Sequence, residues 1–297
     1  MIAILIPTLN EGEAIKSVIE KFPSKYRGEE IKKYVIDGDS SDSTVENAEE
    51  AGAHVIHQTL DGGKGDAMRE ILAEVDADYY VMIDGDGTYD PEEVGKLLDP
   101  LLDGEAEHVI GARKNREADA IPFFNRIGNW FFNRATSVAT GKEVSDMLSG
   151  YRAFTRNSID YYGLTSPGFG IETEMTLSTL ESNLPIKEVD INYSERIGES
   201  KLHPIEDGWR IFKTLMWSIR DLNPLKFFSG SAFLLLIIAS YPSYLVFEQK
   251  LATGRVQDLG PVVFSAMLII LAVQLMIFGM LADQIRNTEK RLRMTQK

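Results

Sequence analysis

The chain has 297 residues, 44% of them hydrophobic and 26% charged, with 24 Gly and 11 Pro, a balance that excludes disordered, collagen-like and low-complexity proteins. It has no cysteine, which excludes a disulfide framework, a thiol nucleophile and thiolate-bound zinc or iron–sulfur centres. A formal net charge of −14 argues against a nucleic-acid partner, because the chain would repel the phosphates it had to neutralise.

Strand and helix patterns alternate from the start. Residues 2–6 read as a buried strand, 13–21 as a helix, 33–36 as a strand and 44–51 as a helix. Strand 54–57, helix 64–74, strand 79–83, helix 92–102 and strand 108–110 follow. This order predicts a parallel α/β sheet, whose ligands bind beyond the C-terminal strand ends. Three of those ends carry acids, amides and hydroxyls: Pro7-Thr8-Leu9-Asn10-Glu11, the run 37–44 from Asp37 to Thr44, and the run 84–91 from Asp84 to Pro91. Asp84 and Asp86, with only Gly85 between them, are spaced to share one Mg²⁺ or Mn²⁺ with the oxygens of a substrate diphosphate.

Gly62-Gly63-Lys64-Gly65 adds a flexible loop with a phosphate-seeking lysine. It is not a Walker A loop, because Lys64 is followed by Gly65 and Asp66, with no Ser or Thr after the lysine. No GxGxxG follows the first strand, which argues against a dinucleotide oxidoreductase. His54, His57, His108 and His203 lack metal-ligand spacing and read as surface or packing residues. Further along, residues 125–139 group Ile127, Trp130, Phe131, Ala135 and Val138 on one helical face, and Ser149 sits in a tight turn. Arg113, Arg152 and Arg196 can each form structural ion pairs.

Residues 207–223 place Trp209, Phe212, Leu215, Met216, Ile219 and Leu222 on one face, with Arg210, Lys213 and Arg220 toward the flanks, as expected of an interfacial helix ending at Asn223-Pro224. Residues 227–247 and 259–282 are then uncharged runs of 21 and 24 residues. At about 1.5 Å per residue each can cross a hydrocarbon core of about 30 Å. The short polar link 248–258 makes them a hairpin. Charge divides along the same line: residues 1–223 carry 23 basic and 41 acidic side chains, the remainder 8 and 4. Arg286, Lys290, Arg291, Arg293 and Lys297 place both ends in the cytoplasm by the positive-inside rule. The expected organisation is a cytosolic catalytic domain over 1–206, an amphipathic interfacial helix over 207–224, and a multi-pass transmembrane hairpin with a basic tail over 225–297, held in the cell membrane.

In order, PTLNE (7–11), VIDGDSSDST (35–44), GGKGDAMR (62–69) and MIDGDGTYDP (82–91) resemble the nucleotide-sugar half of glycosyltransferase family 2, an α/β fold of the GT-A (Rossmann-like) type. GAR (111–113), NRIGN (125–129), SDMLSGYRAF (145–154), GFGIETEM (168–175) and ERIGESKL (195–202) resemble its polyprenyl-phosphate branch, the dolichyl-phosphate sugar synthases. Within it, the likeness is to archaeal enzymes that charge dolichyl phosphate with the first sugar of an S-layer N-glycan.

The resemblance implies an inverting, metal-dependent transfer of one sugar from a nucleotide diphosphate to dolichyl or polyprenyl phosphate, for protein N-glycosylation or cell-surface glycan assembly. A UDP donor, with glucose or N-acetylglucosamine, is favoured. It implies that Pro7, Thr8, Asn10 and Glu11 line the nucleoside pocket. Asp37 or Asp39 contacts the base, a choice left open because the sequence reads Asp37-Gly38-Asp39-Ser40 where the family has DDGS. Lys64 joins this nucleotide site, Asp84 and Asp86 hold the metal and diphosphate, and Arg196 and Lys201 meet the leaving diphosphate. Arg113 and Arg126 receive the acceptor phosphate. From the residues themselves, Asp146, Glu172 and Glu174 read as organisers of the sugar or metal pocket, with Asp146 and Glu174 counted beside Asp86, Arg196 and Lys201 as candidate catalytic residues. A phosphate acceptor is already ionised and needs no strong base. The competing readings are a processive polysaccharide synthase and a non-catalytic sugar-nucleotide-binding scaffold. The first lacks its QxxRW motif and the second would not need Asp84, Asp86, Arg196 and Lys201.

Overall fold

The computed structural model describes residues 1–60, 63–116, 133–134, 136–137, 141–164, 170–196, 209, 212–213, 216–217, 220 and 223–295. The chain divides into two compact units, Met1–Met216 and Trp217–Lys297. Arg126, Lys201 and much of the two predicted amphipathic segments lie outside the described residues.

The first unit is built on one sheet. Its elements are β1 (Ile2–Thr8), α1 (Ile15–Glu20), β2 (Lys25–Tyr26), β3 (Glu29–Asp37), α2 (Thr44–Glu50), β4 (His54–His57), α3 (Lys64–Glu74) and β5 (Tyr79–Met82). A short 3₁₀ turn, Pro91–Glu93, leads into α4 (Val94–Leu102), followed by β6 (His108–Arg116), β7 (Arg152–Thr155), α5 (Arg156–Ile159), α6 (Ile171–Glu181) and β8 (Ile186–Tyr193). The strand order is β2-β3-β1-β5-β7-β6-β8, with β4 also on β3.

Both faces of the sheet are covered. Ile2, Ile4 and Ile6 of β1 pack with Ile15, Val18 and Ile19 of α1 and Leu97 and Leu98 of α4. The alternate residues Ala3 and Leu5 pack with Met68 and Ile71 of α3 and Met175 of α6. A strand buried on both faces has no polar side to show, so its sequence is a continuous apolar run.

The expected parallel sheet is corrected to a mixed one. β1, β3, β4 and β5 run parallel, whereas β7 is antiparallel to both β5 and β6. A strand from beyond residue 150 inserts between β5 and β6. β6 therefore keeps the direction of β5, and β8 runs parallel to β6. The insertion brings residues 146–152 alongside the end of β5, which matters for the site.

The second unit is a pair of long helices, α7 (Pro224–Thr253) and α8 (Gly260–Thr295), each longer than the uncharged run that predicted it. Pro224 opens α7 where no backbone donor is needed. Gly254 closes it at φ 73°, its N–H reaching the Lys250 carbonyl at 2.9 Å. Small residues face inward: Ala232, Ala239 and Ala272 are buried, and a Cβ on Gly279 would lie 2.9 Å from Phe228 Cβ. Phe233, Ile237, Tyr241, Met267, Ile270 and Phe278 are exposed. Small residues inside and large apolar ones outside is the arrangement of helices packed in lipid. Both helices are long and apolar enough to cross a membrane.

Candidate active site

The sheet order reverses at β1. From β1 the chain moves to β3 and β4 on one side, then returns to β5 on the other. The crevice beyond the C-terminal ends of β1 and β5 is where such sheets bind ligands.

The loops after β1 and β3 are stitched together. Gly38 N donates to the Thr8 carbonyl at 2.9 Å, and Thr8 Oγ1 donates to the Ile36 carbonyl at 3.3 Å. Asn10, at φ 49°, donates from its backbone N to Ser40 Oγ at 2.8 Å and accepts at Oδ1 from Ser41 N at 2.7 Å. Glu11 N donates to Thr44 Oγ1 at 2.8 Å, and Gly12 N to Asp42 Oδ2 at 3.0 Å. Asp37 is buried and accepts from Ser40 N at 3.0 Å and Ser40 Oγ at 2.5 Å. Asp39 is exposed at φ 68°. Several polar groups of the 37–44 run thus hold loop shape, a role the sequence reading did not assign. Pro7 and Thr8 close β1 beneath this network.

Asp84 follows β5 and meets Lys64, the first residue of α3. Gly63 precedes it at φ 71° and ψ −151°, a conformation open to glycine. Lys64 Nζ donates at 2.5 Å to Asp84 Oδ1 and at 2.5 Å to Glu172 Oε1, which comes from the first turn of α6. Burial works against the Lys64 charge, but the two carboxylates outweigh it and hold its pKa above the ordinary lysine value.

Asp86 is buried; its Oδ1 accepts from Thr88 N at 3.0 Å and Thr88 Oγ1 at 2.6 Å. Its Oδ2 accepts from the Arg196 guanidinium, which also lies 3.7 Å from Glu11 Oε1. Burial opposes the charge on Arg196, yet Asp86 and Glu11 raise its pKa. Each carboxylate of the Asp84/Asp86 pair therefore faces a cation from a distant segment.

Arg113 and Asp146 form a two-pronged ion pair, Nε to Oδ2 and Nη2 to Oδ1, both at 2.7 Å. Arg113 N adds a third bond to Oδ2 at 3.0 Å, and its guanidinium lies 5.2 Å from the centre of the Tyr193 ring. Burial works against its charge, but Tyr89 and Asp146 hold the pKa well above the ordinary arginine value. Glu174 is buried in the first turn of α6 beside Glu172 in sequence.

Two residues that the sequence reading left without a site role shape this rim. A Cβ on Gly150 would lie 2.9 Å from Asp84 Cγ and closer still to Oδ2, so glycine is what admits the carboxylate. Arg152 is fully buried and fans out to backbone oxygens: Met147 at 3.1 Å, Ser149 at 2.6 Å and Glu172 at 3.0 Å. It thus ties the 147–150 turn to the start of α6. The SGYR run within 145–154 was the available signal, a glycine and an arginine flanking a strand start.

Asp84 and Asp86 offer only hard oxygen donors. Among the described residues no group of three His, Cys, Asp or Glu is placed to hold a metal ion. A pair of carboxylates fits Mg²⁺ or Mn²⁺ in the manner of sites that water and substrate phosphates complete. The residues present therefore suit a cation that arrives with a diphosphate.

Comparison with known proteins agrees with this chemistry. The model of the family described as Glycosyl transferase family 2 matches residues 3–163. The chain is 40% identical over 295 residues to Glycosyltransferase AglJ of Haloferax volcanii, covering 97% of this chain and 95% of that protein. It is 34% identical over 215 residues to the Dolichyl-phosphate hexose transferase of the same organism, covering 72% and 92%. Among solved structures it is similar to glucosyl-3-phosphoglycerate synthase from Mycobacterium tuberculosis in complex with Mn²⁺, UDP and glucosyl-3-phosphoglycerate, with a TM-score of 0.60 and 25% identity over 74% of this chain and 80% of that one.

Proposed function

The chain belongs to glycosyl transferase family 2, and on that premise we propose that it moves one sugar from a UDP-sugar to the phosphate of a dolichol or other polyprenol at the cytoplasmic membrane face. Its first unit has the GT-A fold, and it is related to transferases acting on dolichyl and polyprenyl phosphates. The observation that carries the reading is the paired-cation rim, Lys64 on Asp84 and Arg196 on Asp86, at the point where the sheet order reverses. With a divalent cation on the two carboxylates, Lys64 and Arg196 are left to meet an anion, which suits a diphosphate better than a neutral ligand.

The chemistry is an in-line displacement. A phosphate oxygen of the acceptor forms a bond to the anomeric carbon while the bond from that carbon to the nucleoside diphosphate breaks. The leaving group keeps the electron pair, and the configuration at the anomeric carbon inverts. Charge grows on the diphosphate as the bond breaks, so groups placed there act most strongly in the transition state. When bound, Mg²⁺ or Mn²⁺ held by Asp84 and Asp86 supplies Lewis-acid charge to that diphosphate. Arg196 stands ready on Asp86 to serve the same oxygens, joined in this reading by Lys201. Asp39 is the acid proposed for the base contact, since Asp37 is engaged in holding Ser40. Arg113, fixed by Asp146, and Arg126 are assigned to the acceptor phosphate, with Glu174 in the sugar pocket. The hairpin, in this reading, holds the protein in the membrane that carries the long-chain acceptor.

The test uses membranes containing the protein, dolichyl phosphate, Mn²⁺ and a panel of radiolabelled nucleotide sugars. Label should pass from a UDP-sugar to the lipid fraction, and Asp86→Ala should lower the rate at least a hundredfold. Transfer from no donor in the panel, or undiminished transfer by Asp86→Ala, overturns the reading.

A further inference from the structure

Lys64 occupies an unusual place for a phosphate-binding lysine. Its side chain is 12% exposed, and its ammonium lies between a nucleotide-side carboxylate, Asp84, and a carboxylate from the opposite wall, Glu172, which is 5% exposed. On the β7 side Asp84 lies where a Cβ on Gly150 would overlap its carboxylate, so little room is left there. Glu172 cannot leave easily: it sits in the first turn of α6, where its charge suits the helix N-terminus, and Arg152 grips its backbone carbonyl.

The ammonium has three N–H donors, and two are spent on these carboxylates. A divalent cation binding at Asp84 would lie near the lysine charge, and with Lys64 only 12% exposed there is little water to screen their repulsion. Without an anion between them the two cations compete for one carboxylate. A diphosphate reverses the sign of that encounter, since it accepts from the lysine and ligates the metal at once. Glu172 then keeps the ammonium from being stranded while Asp84 exchanges it for the metal.

We propose that Lys64, shared by Glu172, is the protein's own counter-cation for Asp84, and that it couples the divalent cation to the nucleotide so that metal binds with the diphosphate and not ahead of it. This rests on the reading of Asp84 and Asp86 as metal ligands. Coupling of this kind is reciprocal: what UDP adds to metal affinity, metal adds to UDP affinity.

The experiment is a titration of the purified full chain in detergent with Mn²⁺, reading unbound Mn²⁺ by electron paramagnetic resonance, with and without UDP. For the wild type, UDP should tighten Mn²⁺ binding at least tenfold. Lys64→Met should bind Mn²⁺ without UDP at least tenfold more tightly than the wild type, and the enhancement by UDP should shrink. Glu172→Gln, which leaves Lys64 wholly to Asp84, should bind Mn²⁺ alone more weakly. Lys64→Met strands two carboxylates, so the double variant Lys64→Met/Glu172→Gln guards against misfolding and should also bind Mn²⁺ alone more tightly than the wild type. If Lys64→Met and the double variant bind Mn²⁺ alone no better than the wild type, with its circular dichroism spectrum, the counter-cation role is wrong while the metal site stands. If the wild type binds no Mn²⁺ even with UDP, the metal reading itself falls and takes this inference with it.

Discussion

Gly150 shows how closely single residues are fitted around Asp84. A methyl group there would meet the carboxylate, and the Gly150 N–H already donates to Tyr89 Oη at 2.8 Å, so the backbone is held and the Asp84 carboxylate is the group that must shift. Gly150→Ala should therefore lower the transfer rate by about a hundredfold or more, the scale set by misplacing a reacting group by about 1 Å, while the melting temperature moves little. A rate within a few-fold of wild type would contradict the fit. His108 is buried, its Nδ1 bonded to Thr179 Oγ1 at 2.8 Å and Tyr162 Oη at 3.1 Å. Burial, with the Arg152 charge adding to it, pushes its pKa well below the ordinary value. The folded state thus keeps it neutral while the unfolded chain takes up a proton below about pH 6.5. Its contribution is complete above that pH and is lost as pH falls, by up to about 1.4 kcal/mol per pH unit. The wild type should lose more stability than His108→Gln between pH 7.5 and 5.5, measured by thermal melting; parallel losses would contradict this. Asp84, Asp86 and Lys64 were legible in the sequence because short polar runs at strand ends stand out against apolar strands. The Gly150 contact was not, since a glycine's neighbour depends on which strand lies beside it.

At the scale of elements, α3 and β4 were read to the residue, and β1 to within its last two. Their limits coincide with changes in hydrophobic pattern, helix α3 opening directly after glycine. β7 and β8 escaped notice for a physical reason. β7 is four residues long and begins with Arg152, and β8 carries charged side chains along its exposed side, so neither shows the apolar run of β1. Arg152 is what makes the short strand useful, because it fastens the 147–150 turn and the start of α6 to one another. Arg152→Leu would leave the carbonyls of Met147, Ser149 and Glu172 buried without these donors, at a cost of about 3 kcal/mol or more. Arg152→Lys should recover only part of that, since an ammonium lacks the planar fork. Denaturation midpoints for the two variants check this; equal midpoints for Leu, Lys and wild type would show that the fan of bonds adds nothing.

For the whole molecule, composition alone separated an acidic unit from an apolar pair of helices, because lipid and water select opposite surfaces. The extra turns of α7 and α8 beyond the uncharged runs were not legible, since charged residues continue a helix without marking its end. The sidedness proposed here has a direct check in a chain without native cysteine. An impermeant maleimide should label Arg255→Cys from outside intact cells and Glu13→Cys only after lysis; labelling of both from one side would contradict the hairpin topology. The central claim is that one sugar is placed on a lipid monophosphate, and the mass of the lipid product tests it most directly. With dolichyl phosphate and the preferred UDP-sugar, mass spectrometry should show a single new species carrying one sugar and one phosphate. A lipid diphosphate, or a ladder of oligosaccharides on the lipid, would contradict it.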